Sequence, residues 1–322
     1  MKKIRIDFCD FWPKYPKAKN FFTELLKTRY EVEVVDQPDF LIYCNYGYQH
    51  RLYTCPRIFY TAESCLPNWR ECDYAMTFHY LDNPRHLRLP NYVLSADSPE
   101  LARVPPLHRG PQPNPETPEA ILARKTKFCA FVVTNMHPRT SKRLEFFQRL
   151  CQYKKVDSGG RAMNNIGGPV SGGTAGKQEF LRPYKFSITF ENKSIPGYTT
   201  EKIYEAMLAR CIPIYWGSPR INEEFNPKSF LNYFDFPNED ALVERIAEID
   251  NNPELHLEYL RQPIFHKNQP SEFFNKERLL NFFDHIFSTR IQPVGTRRKF
   301  FQFRRWIAVK KHHTRVPDIW AE

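Results

Sequence analysis

Runs of four to eight β-branched and aromatic residues recur along this 322-residue chain, with stretches of helical spacing between them. Residues 3–8 (KIRIDF) alternate apolar and polar side chains as a short strand. Residues 21–26 have helical spacing, and 30–35 (YEVEVV) read as the next strand. Pro38 and Asp39 turn the chain into 40–43 (FLIY), and 57–61 (RIFYT) read as a further buried strand. The second half repeats the order. Residues 127–134 are a strand, and 141–151 a helix with Leu144, Phe147, Leu150 and Cys151 on one face. A loop rich in Gly and Asn is expected from Asp157 to Gly176. A strand at 184–190, a helix at 200–210 and a strand at 212–216 follow. Alternation of this kind predicts α/β halves, each built on a parallel sheet.

Between the halves lie Pro105, Pro106, Pro111, Pro113, Pro115 and Pro118. Proline at that density breaks helices and central strands, so the run reads as a linker. The expected division is 1–118, 119–290 and a tail at 291–322. Two α/β halves on a joint predict a cleft, with ligand outside the carboxyl ends of the strands.

Hydrophobic residues at 41% and charged residues at 26% provide for a packed core and exclude wholesale disorder. No run approaches the ~20 apolar residues that span a bilayer. The start, MKKIRIDFCDFWPKY, has no apolar core of a signal peptide, and a cytoplasmic location is expected. The eight cysteines include no C-x-x-C pair, so reduced thiols are expected and zinc ligation is not. The net charge of +11 suggests a polyanionic partner. More than half of it, a net +6, lies in residues 291–322.

The most informative segment is 190–219, FENKSIPGYTTEKIYEAMLARCIPIYWGSP. A strand ends at Phe190, and a polar loop carries Glu191, Asn192, Gly197 and Tyr198. A helix starts with Thr199 or Thr200 as its N-cap, with Glu201 and Lys202 in its first turn. A helix N-terminus with an added lysine suits a phosphate. Glu201 can accept from sugar hydroxyls, and Tyr198 can cover a ribose or a base. The pattern reads as a nucleotide-diphosphate seat; an ordinary capped helix with a solvated Glu–Lys pair fits the spacing equally well.

The run F-E-N, G-Y-T-T-E-K and I-P-I-Y-W-G-S-P resembles the signature of the α1,3/4-fucosyltransferases, glycosyltransferase family 10. The likeness extends through 225–230 (FNPKSF) and upstream to 156–160 (VDSGG), 164–167 (NNIG) and 59–63 (FYTAE). The chain is similar to the bacterial branch of that family, whose members often carry a basic, aromatic tail. The resemblance implies a GT-B fold, two Rossmann-like domains facing across a cleft, with GDP-fucose in the C-terminal domain and the acceptor sugar in the N-terminal one. It implies transfer of L-fucose from GDP-β-L-fucose, with inversion, to O3 or O4 of N-acetylglucosamine in a lactosamine-type glycan.

By the same resemblance Glu63 is the general base and Lys202 and Arg143 neutralise the leaving diphosphate. Asn192, Tyr198 and Glu201 hold nucleotide and fucose, and Asn135 is a further candidate in that cleft. A single displacement needs such a base opposite the leaving group and cations beside it. No Asp-x-Asp motif stands out, so no obligatory metal or other cofactor is expected beyond the donor substrate GDP-fucose.

The tail reads RRKFFQFRR at 297–305, followed by Trp306, Lys310 and Lys311. Basic residues among aromatics fit an anionic membrane surface, where a glycolipid acceptor would lie, and peripheral contact with the inner membrane is the expectation. Single-stranded nucleic acid is the other partner such a tail fits. A GT-B transferase with another nucleotide sugar and a nucleic-acid-binding protein are the alternative functions. The second predicts charge spread over a folded face, whereas here it concentrates in the tail.

Overall fold

The computed structural model describes residues 1–96, 116–134 and 141–296. These form two compact units, one of residues 1–89 with 275–296 and one of residues 90–274.

The first unit opens with strand β1 (Lys2–Cys9), helix α1 (Phe21–Lys27) and strands β2 (Tyr30–Val34), β3 (Phe40–Tyr43), β4 (Arg57–Tyr60), β5 (Tyr74–Thr77) and β6 (His86–Arg88). All pair in parallel, in the order β2-β1-β3-β4-β5-β6. Ile4, Ile6 and Phe8 of β1 are buried, but so are Asp7 and Cys9, so the second half of this parallel strand is covered on both faces rather than alternating. Asn20 starts α1 by accepting from the Phe22 and Thr23 amides.

The second unit contains α2 (Asn91–Ala96), α3 (Pro118–Ala123), β7 (Lys127–Phe131), α4 (Ser141–Tyr153), β8 (Val156–Ser158), α5 (Gly173–Leu181), β9 (Tyr184–Ile188) and α6 (Glu201–Leu208). Then come β10 (Ile212–Tyr215), β11 (Leu231–Asn232), α7 (Glu239–Asn251) and α8 (Pro253–Arg261). Its five strands are parallel in the order β11-β10-β9-β7-β8. Phe131, Phe186 and Ile214 of the sheet pack with Phe146 and Leu150 of α4 and Leu242 and Ile246 of α7.

The last helix, α9 (Lys276–Ser288), belongs to the first unit. Phe283 packs edge-on against Phe22, and Phe287 meets Tyr30 and Phe40 at ring separations of 5.4 and 4.5 Å. Arg29 pairs with Glu277 and Asp284. The expected boundaries at 118 and 290 are therefore displaced. Residues 90–96 join the second unit, where Tyr92 packs on Phe225 and Phe274, and 275–290 leave it. An apolar helix face follows the surface that buries it, whatever its place in the chain. The proline run, up to residue 115, lies outside the described residues, as does the tail from 297.

The expected strands match β1, β2, β3, β4, β7, β9 and β10 to within about three residues at each end, while β5, β6, β8 and β11 were not expected. The loop expected up to Gly176 is instead closed by α5, which begins at Gly173. Among the described residues no helix is long and apolar enough to cross a membrane.

Candidate active site

In the second sheet the chain goes from β7 outward to β8, then back across to β9. Open α/β sheets bind ligands beyond the strand ends at such a reversal. There the structure has a cavity of about 490 Å³, with Thr134, Arg143, Gly173, Lys177, Asn192, Glu201 and Lys202 in its lining.

The segment after β9 is held by the segment after β10. The Glu191 amide donates to the Trp216 carbonyl (2.7 Å), and the Ser218 hydroxyl accepts from the Gly197 amide (2.8 Å). The Tyr215 hydroxyl accepts from the Ser218 amide (2.9 Å) and lies 3.3 Å from the Tyr198 carbonyl. Only glycine fits at 217, because a Cβ there would come within 2.5 Å of the Tyr215 hydroxyl and 2.6 Å of Glu191 Cγ. The two halves of the motif thus form one interlocked element.

Glu191 is fully buried at its centre. Its carboxylate accepts from the Thr200 amide (2.7 Å), from the Thr200 hydroxyl (2.8 Å) and from Lys202 Nζ (3.0 Å). Thr200 is the N-cap of α6 by position, but its side chain makes no capping bond, since its hydroxyl is spent on Glu191. At the helix N-terminus expected to face a phosphate, the Thr200 amide already holds an anion from within the chain. Positive charge toward the cavity comes instead from side chains.

Lys202 is one of them. Burial alone would lower its pKa, but the Glu191 and Glu201 carboxylates outweigh that and raise it, so it remains an ammonium. Arg143, at the start of α4, is buried, and its Nε donates to the carbonyls of Phe190 (2.9 Å) and Glu191 (3.1 Å). This fixes the guanidinium at the end of β9. Lys177 of α5 is the third, paired with buried Glu205 of α6 at 2.6 Å. Glu201 accepts from Asn91 Nδ2 (3.0 Å) and lies 3.6 Å from Lys202 Nζ. Burial pushes its carboxyl up, yet Lys202 and Lys177 outweigh this and hold it at about 2.

Of the expected residues, Arg143, Asn192, Glu201 and Lys202 meet at this one cavity. Tyr198 does not line it among the described residues; its ring is 2% exposed, packed inside the interlocked loop rather than laid open as a cover. Asn135 lies outside the described residues. Glu63 belongs to the first unit, just beyond β4. Sequence reasoning missed Lys177, Glu205, Asn91 and the central part of Glu191. The signal for Lys177 was G-G-T-A-G-K at 172–177, a glycine-rich turn that runs into a helix and a lysine, as phosphate-binding turns do. Among the described residues no group of three or more His, Cys, Asp or Glu stands together as a metal site.

The family model of the α-(1,3)-fucosyltransferase FucT N-terminal domain matches residues 6–95, and that of glycosyltransferase family 10 (fucosyltransferase), C-terminal part, matches 122–283. The chain belongs to glycosyltransferase family 10. Its relatives include α-(1,3)-fucosyltransferase FucT of Helicobacter pylori, 35% identical over 226 residues, or 63% of this chain and 46% of that one. Another is the human 3-galactosyl-N-acetylglucosaminide 4-α-L-fucosyltransferase FUT3, 34% identical over 150 residues, or 46% of this chain and 40% of that one. The chain spans less than half the length of these curated relatives. A crystal structure of an α1,3-fucosyltransferase with GDP superposes with a TM-score of 0.74 at 29% identity, covering 90% of this chain and 92% of that one. One with GDP-fucose gives 0.72 at 28%, covering 91% and 93%. The family fold is of the GT-B type, made of two Rossmann-like parallel α/β units as seen here.

Proposed function

We propose that this family 10 chain transfers L-fucose from GDP-β-L-fucose to O3 or O4 of N-acetylglucosamine in a lactosamine-type glycan, with inversion. The observation that carries the reading is the cavity at the sheet reversal, lined by Arg143, Lys177 and Lys202. Three cations on one small cavity suit a diphosphate that gains negative charge as it leaves. In this reading Arg143 and Lys202 neutralise the diphosphate and Lys177 joins them. Asn192 and Glu201 hold the nucleotide and fucose, with Asn135 as a further contact. The part of Tyr198 is to hold the loop that carries Asn192. The side chains supply the positive charge, so the reading requires no divalent cation.

Glu63 is the base. Its carboxylate takes the proton of the acceptor hydroxyl while that oxygen bonds to the anomeric carbon of fucose. The bond from that carbon to the diphosphate oxygen breaks on the opposite face, and GDP leaves with its electron pair. The aromatic, basic tail would hold the chain against an anionic inner-membrane surface, where a lipid-linked or lipopolysaccharide acceptor lies. The support for that is its net +6 charge alone.

Purified protein incubated with GDP-fucose and lactosamine is expected to give a product heavier by one deoxyhexose, with an α-linkage by NMR. A folded protein that yields no such product overturns the reading. Transfer from another nucleotide sugar in its place would favour the alternative donor.

A further inference from the structure

Glu63 is held by the loop that follows β3. The Tyr46 hydroxyl donates to Glu63 Oε1 at 3.2 Å. One residue earlier, Asn45 Oδ1 accepts from the Thr61 hydroxyl (2.7 Å), and that hydroxyl accepts from the Glu63 amide (3.0 Å). The same loop therefore grips Glu63 through both its backbone and its carboxylate.

The loop is in turn tied to the end of β1. Asp10 Oδ1 accepts from the Gln49 amide (2.8 Å), and Oδ2 from the His50 amide (2.9 Å). His50 Nδ1 lies 2.6 Å from that same Oδ2, and Nε2 lies 3.3 Å from Glu71. The imidazole is buried and stacks on Tyr43 with ring centres 4.1 Å apart. The Tyr46 amide donates to the Asp10 carbonyl (2.9 Å). Gly47 leaves room for this closure, since a Cβ there would sit 2.4 Å from Asp10 Oδ1. Four hydrogen-bond contacts to Asp10 hold this stretch against the end of β1.

We propose that Tyr46 is a positioning residue for fucosyl transfer, its hydroxyl aiming the Glu63 carboxylate from a loop clamped by Asp10 and His50. The inference rests on Glu63 as base. Among the described residues, Tyr46 and Cys44 from the β3 side feel the charge of Glu63. Burial pushes the Cys44 thiol up to about 12 and the Tyr46 hydroxyl above its ordinary value, which the Glu63 charge reinforces. Both remain protonated at neutral pH, so the Tyr46 hydroxyl has its proton to donate. A carboxylate with one donor has one lone-pair direction fixed and leaves its other oxygen for the acceptor hydroxyl.

The test compares Tyr46→Phe with Glu63→Gln in the full chain. Tyr46→Phe keeps the ring and removes only the donor. Its kcat is expected to fall about 10-fold, with KM for GDP-fucose and thermal stability unchanged. A purely structural role would lower thermal stability and leave the kcat of the folded protein unmoved, whereas a positioning role lowers kcat alone. If Glu63→Gln is inactive while Tyr46→Phe keeps the wild-type kcat, the positioning role falls and the base stands. If Tyr46→Phe changes only KM for the acceptor, the residue touches substrate directly and the proposal is overturned. If Glu63→Gln turns over normally, the base assignment fails and the role of Tyr46 fails with it.

Discussion

At the residue scale, the cavity works by opposing a buried acid to an outward cation. Glu191 has no exposure, and its oxygens are spent on Thr200 and Lys202. Lys202→Met removes the cation from Glu191 and, in the proposed reading, from the diphosphate. Turnover is expected to drop ~10²-fold or more, since a group acting on developing charge is lost. Thermal stability falls too, because Glu191 keeps a buried charge without its cation. GDP titration of the folded variant separates the two losses; unchanged turnover would remove Lys202 from the chemistry. Glu201 gives a pH signature. Its carboxyl is held at about 2 in the fold, below the unfolded value of about 4.3. Its stabilising contribution is complete above the unfolded value and is lost as pH falls toward 2. The stability gap between wild type and Glu201→Gln, read by urea unfolding, should be constant from pH 7 to 5 and shrink toward pH 3. A gap that ignores pH would contradict the Lys202 and Lys177 field as its source. Arg143, Asn192, Glu201 and Lys202 were legible because each sits in a motif with its neighbours in register. Asn91 was not, because its partner Glu201 is met only through packing; Lys177 carried the glycine-rich signal at 172–177, but its pairing with Glu205 is visible only in the fold.

At the element scale, the strands were legible where buried parallel pairing demands a run such as FLIY or IPIYW. The three-residue strand β6 carries no periodicity to read. Helix α5 was hidden by Gly172, Gly173 and Gly176, whose propensity argues for a loop; the burial of Gln178 and Leu181 overrides it. Helix α8 contains a different conflict. His256 is buried, both ring nitrogens lack hydrogen-bond partners among the described residues, and its ring meets the edge of Phe186. Burial first, then the charges of Lys185 and Lys125, lowers its pKa to about 4. The unfolded imidazole titrates near 6.5. Between those values the unfolded chain binds a proton that the fold refuses, so stability is complete above about 6.5 and declines as pH falls toward 4. His256→Phe is expected to remove that part of the decline. The wild-type-minus-variant difference in unfolding free energy should therefore slope with pH between 6.5 and 4 and be flat above 7. A flat difference throughout would show that the ring reaches a proton acceptor when folded.

At the scale of the whole molecule, chain order and unit membership part company. The proline run drew the expected boundary near 118, yet the chain returns to its first unit at Asn275. Nothing local to KERLLNFFDHIFS says which sheet its apolar face covers; the partners Phe22, Tyr30 and Phe40 lie more than 200 residues earlier. Beyond α9, the Val294 amide donates to Asp73 (2.9 Å), so the segment up to Thr296 is still part of that unit. Two truncations separate the contributions. Ending the chain at Thr296 removes all eight basic residues of the tail. It is expected to leave thermal stability and turnover on a soluble acceptor near wild type, while binding to vesicles of anionic lipid is lost. Ending it at Phe274 also removes α9, uncovering Phe22, Tyr30 and Phe40 and leaving Arg29 without Glu277 and Asp284. A large apolar face lost from a unit of this size exceeds its margin of stability. The first unit, with Glu63, should then unfold and transfer cease, while GDP binding by the second unit persists. Calorimetry with GDP titration reads both. Retained transfer in the shorter chain would mean that α9 is dispensable to the unit carrying Glu63, and GDP binding lost along with transfer would mean that the second unit does not hold its fold without the first.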